Sequence, residues 1–299
     1  MPTTASPEPR VHVTGPVPRR VEEALRESFE LVEEAHGADG ILALLTTRVD
    51  GDYLDAAGPQ LRVVANYAVG VDNVDLDAAR QRGVVVTNTP NVLTKATAEL
   101  ALALMLSLLR RVAEGDRFVR RRDRWTFSLE FMLGESLDRK TVGIVGPGRI
   151  GRETARLVAC LGAGVVYGRR DDPLDPLPAA ADVVSLHCPL TPATHHLVDA
   201  DALARMRPDA ILVNTARGPI VDEHALVEAL RCGAIAGAAL DVYEFEPDVS
   251  AELLEFENVV LTPHLGSATR ATREAMGMLA VEGLRAVLLD GVLPANAVL

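Results

Sequence analysis

Short apolar runs alternate with stretches of helical period along nearly the whole chain. Runs at 11–14, 41–45, 61–65 and 84–86 predict buried strands. Those at 141–145, 164–168, 182–187, 210–214, 236–240 and 259–262 predict a second set. Helical patterns lie between them at 18–29, 74–82, 150–161, 223–231 and 271–289. Strand–helix alternation of this kind implies parallel sheets wrapped by helices.

Two seams interrupt the rhythm. Residues 94–111 form a helical stretch that is apolar on nearly every face, which predicts burial all round, in a domain bridge or a subunit interface. Around 264–269 the strand pattern gives way to one long C-terminal helix. The expected architecture is therefore α/β with two doubly wound parallel-sheet domains, discontinuous in sequence: 1–95 with 267–299, and 96–266 between them. From Arg170 to Ala181, a crossover helix is expected. Pro173, Pro176 and Pro178 allow no more than a turn of it, which predicts thin cover on that side of the sheet.

The length of 299 residues suits two domains at about 150 each. With 48% hydrophobic and 24% charged residues, the chain can bury a sizeable core. Thirty basic against 42 acidic residues give a net charge of −12, which disfavours nucleic acid and anionic membranes as partners. Lys95 and Lys140 are the only lysines and neither follows glycine, so there is no Walker loop. Cys160, Cys188 and Cys232 form no C-x-x-C pair. An odd count argues against a disulfide framework or a cysteine zinc site and suits a reducing cytoplasm. The first ten residues lack the apolar core of a signal peptide. The longest apolar run, 100–109, is about half of a membrane span.

Gly146-Pro147-Gly148-Arg149-Ile150-Gly151 is a G-x-G-x-x-G string between a predicted strand and a predicted helix. Alone such a string is weak; in this setting it is a dinucleotide fingerprint. The first glycine permits the tight turn, the second lets a pyrophosphate approach the backbone, and the third lets helix and strand pack closely. The phosphates then meet the positive end of the helix. The residue that selects the cofactor is expected at the end of the next strand, about 20 residues on. Arg169 and Arg170 stand there, with no acid until Asp171. Guanidinium forks match a ribose 2′-phosphate, which points to NADPH/NADP over NADH/NAD.

Further segments follow in a telling order. They are Val64-Ala65-Asn66-Tyr67-Ala68-Val69-Gly70-Val71-Asp72-Asn73, Val86-Thr87-Asn88-Thr89-Pro90, the glycine loop, and Ser185-Leu186-His187-Cys188-Pro189-Leu190-Thr191. Then come Val213-Asn214-Thr215-Ala216-Arg217-Gly218, Ala239-Leu240-Asp241-Val242-Tyr243-Glu244-Phe245-Glu246-Pro247, and Leu261-Thr262-Pro263-His264-Leu265-Gly266-Ser267. With these the chain resembles the D-2-hydroxyacid dehydrogenases, and among them most closely the glyoxylate/hydroxypyruvate reductases, over roughly residues 60–270. The resemblance implies a Rossmann-type cofactor domain at 96–266 inserted in a flavodoxin-like substrate domain. It implies that Arg217, Glu246 and His264 are the catalytic set, and that the backbone at Val69 and Gly70 receives the substrate carboxylate together with Arg217. It also implies that Thr215, Ala216, Asp241 and Gly266 lie toward the nicotinamide end of the cofactor. The chain departs from the family in a short first domain between Phe29 and Ile41 and in the proline stretch.

The chemistry of reducing a 2-oxo acid needs a cation for the carboxylate and carbonyl, a proton donor, and a hydride. Arg217, just past a buried strand at the carboxyl edge of the sheet, can supply the first. His264 follows the last strand at the same edge, and imidazole is the usual donor near neutral pH. A neighbouring carboxylate favours the imidazolium, and Glu246 is the partner the motif offers. Glu244 is a second candidate acid; the resemblance favours Glu246, which stands directly before Pro247.

The remaining histidines read as structural, His187 as a packed strand residue. His195 and His196 are adjacent, and a helix or strand would not point both at one metal, so no metal site is expected. Arg117, Arg120, Arg121, Arg122 and Arg124 lack interleaved aromatics and read as a solvated helix end or subunit contact, not a nucleic-acid patch. Trp125, Phe127, Phe131 and Met132 read as an arm that packs on a partner subunit, giving a homodimer. The expected activity is hydride transfer from NAD(P)H to glyoxylate or hydroxypyruvate, yielding the D-2-hydroxy acid. Two rival readings are an NAD-linked 3-phosphoglycerate dehydrogenase-like enzyme, disfavoured by Arg169, and a non-catalytic dinucleotide-sensing regulator, disfavoured by the intact trio.

Overall fold

The structure, a computed structural model, describes residues 8–168, 174 and 177–298. The chain divides into two compact units, Met1–Leu93 with Ser267–Leu299, and Thr94–Gly266.

The first unit begins with β1 (Arg10–Val13), α1 (Arg19–Arg26), β2 (Glu30–Val32), β3 (Gly40–Ala43), α2 (Gly51–Ala57), β4 (Val63–Asn66), α3 (Leu76–Gln81) and β5 (Val85–Thr87). Its sheet has the order β2-β1-β3-β4-β5 with every pair parallel, the flavodoxin-like arrangement. β3 and β4 are buried at every residue, as strands covered on both faces must be. Asp50 and Asp75 cap α2 and α3 by accepting from Tyr53 N and Ala78 N. The sequence pattern does not predict β2 or α2. β2 is an edge strand with no fully buried residue, so it lacks the apolar run that marks the others, and α2 opens on Gly51 and buries only Leu54 and Ala57.

The second unit opens with α4 (Thr94–Leu109) and α5 (Val112–Arg120), separated by Arg111 in the left-handed region at φ 54°. The left-handed residue is why the helix predicted to run through 111 stops short. β6 (Thr141–Val145), α6 (Arg149–Cys160), β7 (Gly164–Tyr167), α7 (Leu177–Ala180), β8 (Val183–Leu186), α8 (Ala200–Ala204), β9 (Ile211–Asn214), α9 (Glu223–Arg231), β10 (Gly237–Leu240) and β11 (Val259–Leu261) follow. The all-parallel order is β11-β10-β9-β8-β6-β7. β6 has its sequence successor on one side and β8 on the other, so the topological switch point lies at its carboxyl end.

Alternate strand residues feed two cores. Val142, Ile144, Val213 and Ala239 pack under α4 and α6, whereas Val145, Leu186, Leu212 and Leu240 pack under α8 and α9. The second face is the thin one: α7 has four residues and α8 five. Gly143 admits α7, because a Cβ there would meet Ala181 at 3.0 Å and Leu177 at 3.2 Å. Arg169, Arg170, Asp171, Pro173 and Pro176 lie outside the described residues.

Burial of α4 differs from expectation. Ala98, Ala101, Leu104 and Met105 are buried, but Lys95, Glu99 and Ala103 are exposed, and Leu102 and Leu106 are only partly covered. Within one chain the helix has a single buried face. The remaining helix, α10 (Arg270–Leu288), returns to the first unit and packs on α1, β3 and β4. Its approach needs small residues: a Cβ on Gly40 would meet Leu288 at 2.9 Å.

Candidate active site

The glycine loop joins β6 to α6 as the sequence predicts. Gly146 has φ +83°, and a Cβ there would lie 2.5 Å from the Cys188 amide nitrogen. On Gly151 a Cβ would meet the Gly146 carbonyl oxygen at 2.5 Å. Both positions exclude any side chain, the first by turn geometry and the second by helix–strand packing. Gly148 is different, since nothing lies within 4 Å of where its Cβ would stand. It caps α6 without a side-chain hydrogen bond, whereas Asp199, Asp222 and Thr269 cap α8, α9 and α10 through their side chains. The open space beside Gly148 and the bare first turn, with Arg149 and Ile150 in it, fit the pyrophosphate of a dinucleotide. Thr215 Oγ1 at the end of β9 is a buried polar atom with no protein partner, a second feature that suits a bound polar group. Ala216, next to it, is half-buried, and its amide donates to Asn214 Oδ1 at 3.0 Å. The selectivity pair Arg169–Arg170 is among the residues not described.

His264 and Glu246 meet at the carboxyl edge of the same sheet. Glu246 Oε2 accepts from His264 Nδ1 at 2.9 Å, and Oε1 accepts from the Tyr243 amide at 3.0 Å. Burial by itself would raise the Glu246 carboxyl. The bond and charge of His264, the Tyr243 N–H and the Arg217 guanidinium outweigh it and hold the group below the ordinary carboxylate value. Arg217 is half-buried just past β9. Its guanidinium donates to the Ala216 carbonyl at 2.8 Å, and its own carbonyl accepts from Asn214 Nδ2 at 2.9 Å. One cation, one carboxylate and one imidazole are thus brought together from the ends of β9, β10 and β11. Glu244, the rival acid, bonds His196 Nε2 at 2.7 Å and takes no part in this cluster.

Asp241 has a role the sequence does not disclose. Its buried carboxylate accepts from Thr262 Oγ1 at 2.6 Å, Leu265 N at 2.7 Å and Gly266 N at 2.7 Å, and its carbonyl accepts from His264 N at 2.9 Å. Burial raises its carboxyl above the usual range despite those donors and the charge of His264. These bonds hold the turn in which His264 sits at φ 52°, a left-handed conformation that costs a non-glycine residue of order 1 kcal/mol or more. Position in the Ala-Leu-Asp-Val string was the available signal; its partners were not.

In the first unit, Val69 and Gly70 lie in the loop after β4. Asn88 Nδ2 donates to the Val69 carbonyl at 2.8 Å and Asn66 Nδ2 to the Gly70 carbonyl at 2.8 Å. Asn73 Nδ2 donates to Asn66 Oδ1 at 3.0 Å and steadies that side chain. The three asparagines were visible in the quoted motifs, but nothing in the sequence distinguishes them from surface turn residues.

Three other expectations meet the structure here. His187 is half-buried, with its Nε2 2.9 Å from Ser185 Oγ, and desolvation of the ring pushes it down to about 4, which fits a packed residue and not a base. In the arginine run, Arg117 and Arg121 pair with Glu257 and Arg120 with Asp116. His195 and His196 occupy neither a helix nor a strand but a turn, with ring centroids 4.1 Å apart, so the ground on which they were separated does not apply.

A glycine-loop unit with a paired histidine and glutamate and an arginine at one sheet edge defines a nicotinamide-dependent oxidoreductase. The family model for the D-isomer specific 2-hydroxyacid dehydrogenase NAD-binding domain matches residues 102–266. A glyoxylate reductase of Korarchaeum cryptofilum is 43% identical, covering 97% of this chain and 96% of the relative. One from Aeropyrum pernix is 46% identical over 90% and 85% of the two chains. Among solved structures, a Thermus thermophilus protein superposes with a TM-score of 0.90 at 44% identity, covering 97% of this chain and all of the other. An NADPH-dependent glyoxylate/hydroxypyruvate reductase of Sinorhizobium meliloti, solved with NADP and malonate, gives 0.86 at 38% identity, covering 97% of each chain. The chain belongs to the D-isomer specific 2-hydroxyacid dehydrogenases. It is a 2-hydroxyacid dehydrogenase that uses a nicotinamide dinucleotide.

Proposed function

We propose that the protein reduces a small 2-oxo acid, glyoxylate or hydroxypyruvate, to its D-2-hydroxy acid with NADPH. The observation that carries this reading is the 2.9 Å contact between Glu246 Oε2 and His264 Nδ1, with Arg217 acting on the same carboxylate. When bound, the dinucleotide supplies the hydride. Arg217 holds the substrate carboxylate and polarises its carbonyl through a planar fork. The backbone amides of Val69 and Gly70 bind the carboxylate as well, their loop fixed by Asn66 and Asn88. His264 delivers a proton from Nε2 to the carbonyl oxygen, because Nδ1 is taken by Glu246. Glu246 stays ionised and compensates the imidazolium.

Gly146, Gly148, Arg149, Ile150 and Gly151 would hold the pyrophosphate, and Thr215, Ala216, Asp241 and Gly266 would serve the nicotinamide end. Arg169 and Arg170 select NADPH over NADH. The names of the similar glyoxylate reductases, and the NADP bound by the Sinorhizobium meliloti enzyme, support substrate and cofactor.

A homodimer completes the reading. Leu102 and Leu106 of α4 are only half-buried against their own core, and Trp125, Phe127, Leu129 and Leu133 stand exposed after α5. Apolar area of this kind marks an interface. Sedimentation should give twice the 31.9 kDa chain mass. Three cysteines without a disulfide suit the cytoplasm. Among the described residues, no helix is long and apolar enough to cross a membrane.

The deciding experiment is a steady-state panel of 2-oxo acids with NADPH and NADH, followed by cofactor absorbance. Turnover of glyoxylate or hydroxypyruvate above larger acids, faster with NADPH, is the expected result. Turnover of 3-phosphohydroxypyruvate with NADH alone, or none at all, would overturn it.

A further inference from the structure

One group of three metal-ligating side chains stands together among the described residues, and the reductase chemistry does not use it. His195, His196 and Glu244 bring one donor atom each to within 4.8 Å of one another. We propose that these three residues form a binding site for a single late first-row divalent cation of the zinc and nickel class.

The turn after β8 makes the arrangement. Thr194 Oγ1 donates to the Pro189 carbonyl at 2.7 Å and accepts from Thr191 N at 2.8 Å, which closes the turn. His195 N then bonds Thr191 O at 2.9 Å, and His196 N bonds Pro219 O at 2.8 Å. His196 takes φ +50°, so its ring swings to the same side as that of His195. The two centroids lie 4.1 Å apart with the planes 33° from parallel. Adjacent residues of a regular element could not do this; a left-handed residue can.

Glu244 is aimed from a second loop. Its Oε2 accepts from Glu223 N at 3.1 Å, and its own amide donates to Glu223 Oε2 at 3.1 Å. This reciprocal clamp to the start of α9 holds the side chain, and Oε1 lies 2.7 Å from His196 Nε2. Asp222 Oδ2 stands 4.0 Å behind His196 Nδ1, the side from which a carboxylate orients a ligating imidazole.

Two imidazole nitrogens and one carboxylate oxygen suit Zn²⁺ or Ni²⁺ better than Mg²⁺ or Ca²⁺, which prefer oxygen alone. Ligand bonds near 2.0–2.2 Å require donor atoms about 3.3 Å apart in a tetrahedral site. The Glu244–His196 pair need open by only about half an ångström, and His195, exposed at the surface, can adjust. The cation takes the place of the proton on His196 Nε2, and in the neutral ring that proton moves to Nδ1, on the side of Asp222. Three protein ligands leave the fourth position to a water molecule. The net charge of −12 favours cation capture.

The site does not depend on the proposed activity, and binding is read without turnover. Chelator-treated protein is titrated with Zn²⁺ by calorimetry. Binding of one equivalent is expected, and His195→Ala should weaken it at least tenfold without disturbing the fold, since that side chain is exposed. Glu244→Gln should weaken it similarly, and a variant with Cys160 and Cys232 replaced by serine should bind as the wild type does. Co²⁺ in place of Zn²⁺ should give a visible spectrum of nitrogen and oxygen ligands without a thiolate band. Absence of zinc binding in the wild type, equal affinity in His195→Ala, or dependence on the cysteines would each overturn the proposal.

Discussion

Glu246 Oε2 lies 2.9 Å from His264 Nδ1, so a carboxylate engages one ring nitrogen and the other is the one able to pass a proton. Glu246 is itself held by the Tyr243 amide, and the turn bearing His264 is held by Asp241. The pair is therefore fixed from both sides before any substrate arrives.

Replacing the donor should cost chemistry and not folding. His264→Ala is expected to lower kcat about 10²- to 10⁴-fold, the usual worth of a positioned acid. Steady-state reduction of glyoxylate measures this. A variant with near wild-type kcat would remove His264 from the mechanism.

The carboxylate should set the pH range of reduction. Glu246 is held below the ordinary carboxylate value, so its stabilising charge persists above that range and is lost only as pH falls through the lowered value. In Glu246→Gln there is no carboxylate to protonate, and the charge is gone at every pH. The acid limb of kcat/KM that follows protonation of Glu246 in the wild type should be absent from this variant, and its rate should be lower at neutral pH. Superimposable profiles would count against the pairing.

Asp241 accepts three hydrogen bonds with its two carboxylate oxygens. Asp241→Asn substitutes an N–H₂ for one of them and sets donor against donor. A loss of about 1–3 kcal/mol is expected from the unmet buried groups. Displacement of His264 should lower kcat by about ten- to a hundredfold beyond that. Denaturant melts and kcat, measured on the same preparation, separate the two effects.

Cofactor choice is expected to follow Arg169. A preference for NADPH of roughly ten- to a hundredfold in kcat/KM corresponds to about 1.4–2.8 kcal/mol. Arg169→Asp should abolish it by repelling the 2′-phosphate and offering the ribose an acceptor. Measurement at fixed, moderate ionic strength is needed because exposed ion pairs are screened. A ratio that does not move would leave the arginine without a part in cofactor choice.

His187 should make the fold sensitive to acid. Desolvation of the ring pushes it down to about 4, whereas an imidazole in the unfolded chain titrates near 6.5. Between these values the unfolded chain binds the extra proton, so stability is full above about pH 6.5 and declines as pH falls toward 4. The contribution is at most about 3 kcal/mol. Urea melts across this interval should show a flatter dependence in His187→Asn than in the wild type. Equal slopes would contradict the assignment.

Sequence and structure divided the labour along physical lines. Buried parallel strands such as β4, β8 and β9 are continuous apolar runs because both faces are covered, and the glycine loop is written in residue types that a close backbone approach demands. Period and composition are local, so those elements and the order of Arg217, Glu246 and His264 were legible in the chain. Elements that bury little carry no apolar signal, and β2 and α2 escaped for that reason. The choice between Glu244 and Glu246 needed the direction of two side chains on one loop, which no spacing supplies; the fold sends the first to His196 and the second to His264. It also took the fold to show Asp241 clamping a left-handed histidine, His195 and His196 facing the same way across a turn, and α4 with one face uncovered. Each depends on residues far apart in sequence or on a backbone angle, and those are fixed only when the sheet brings the ends of its strands together.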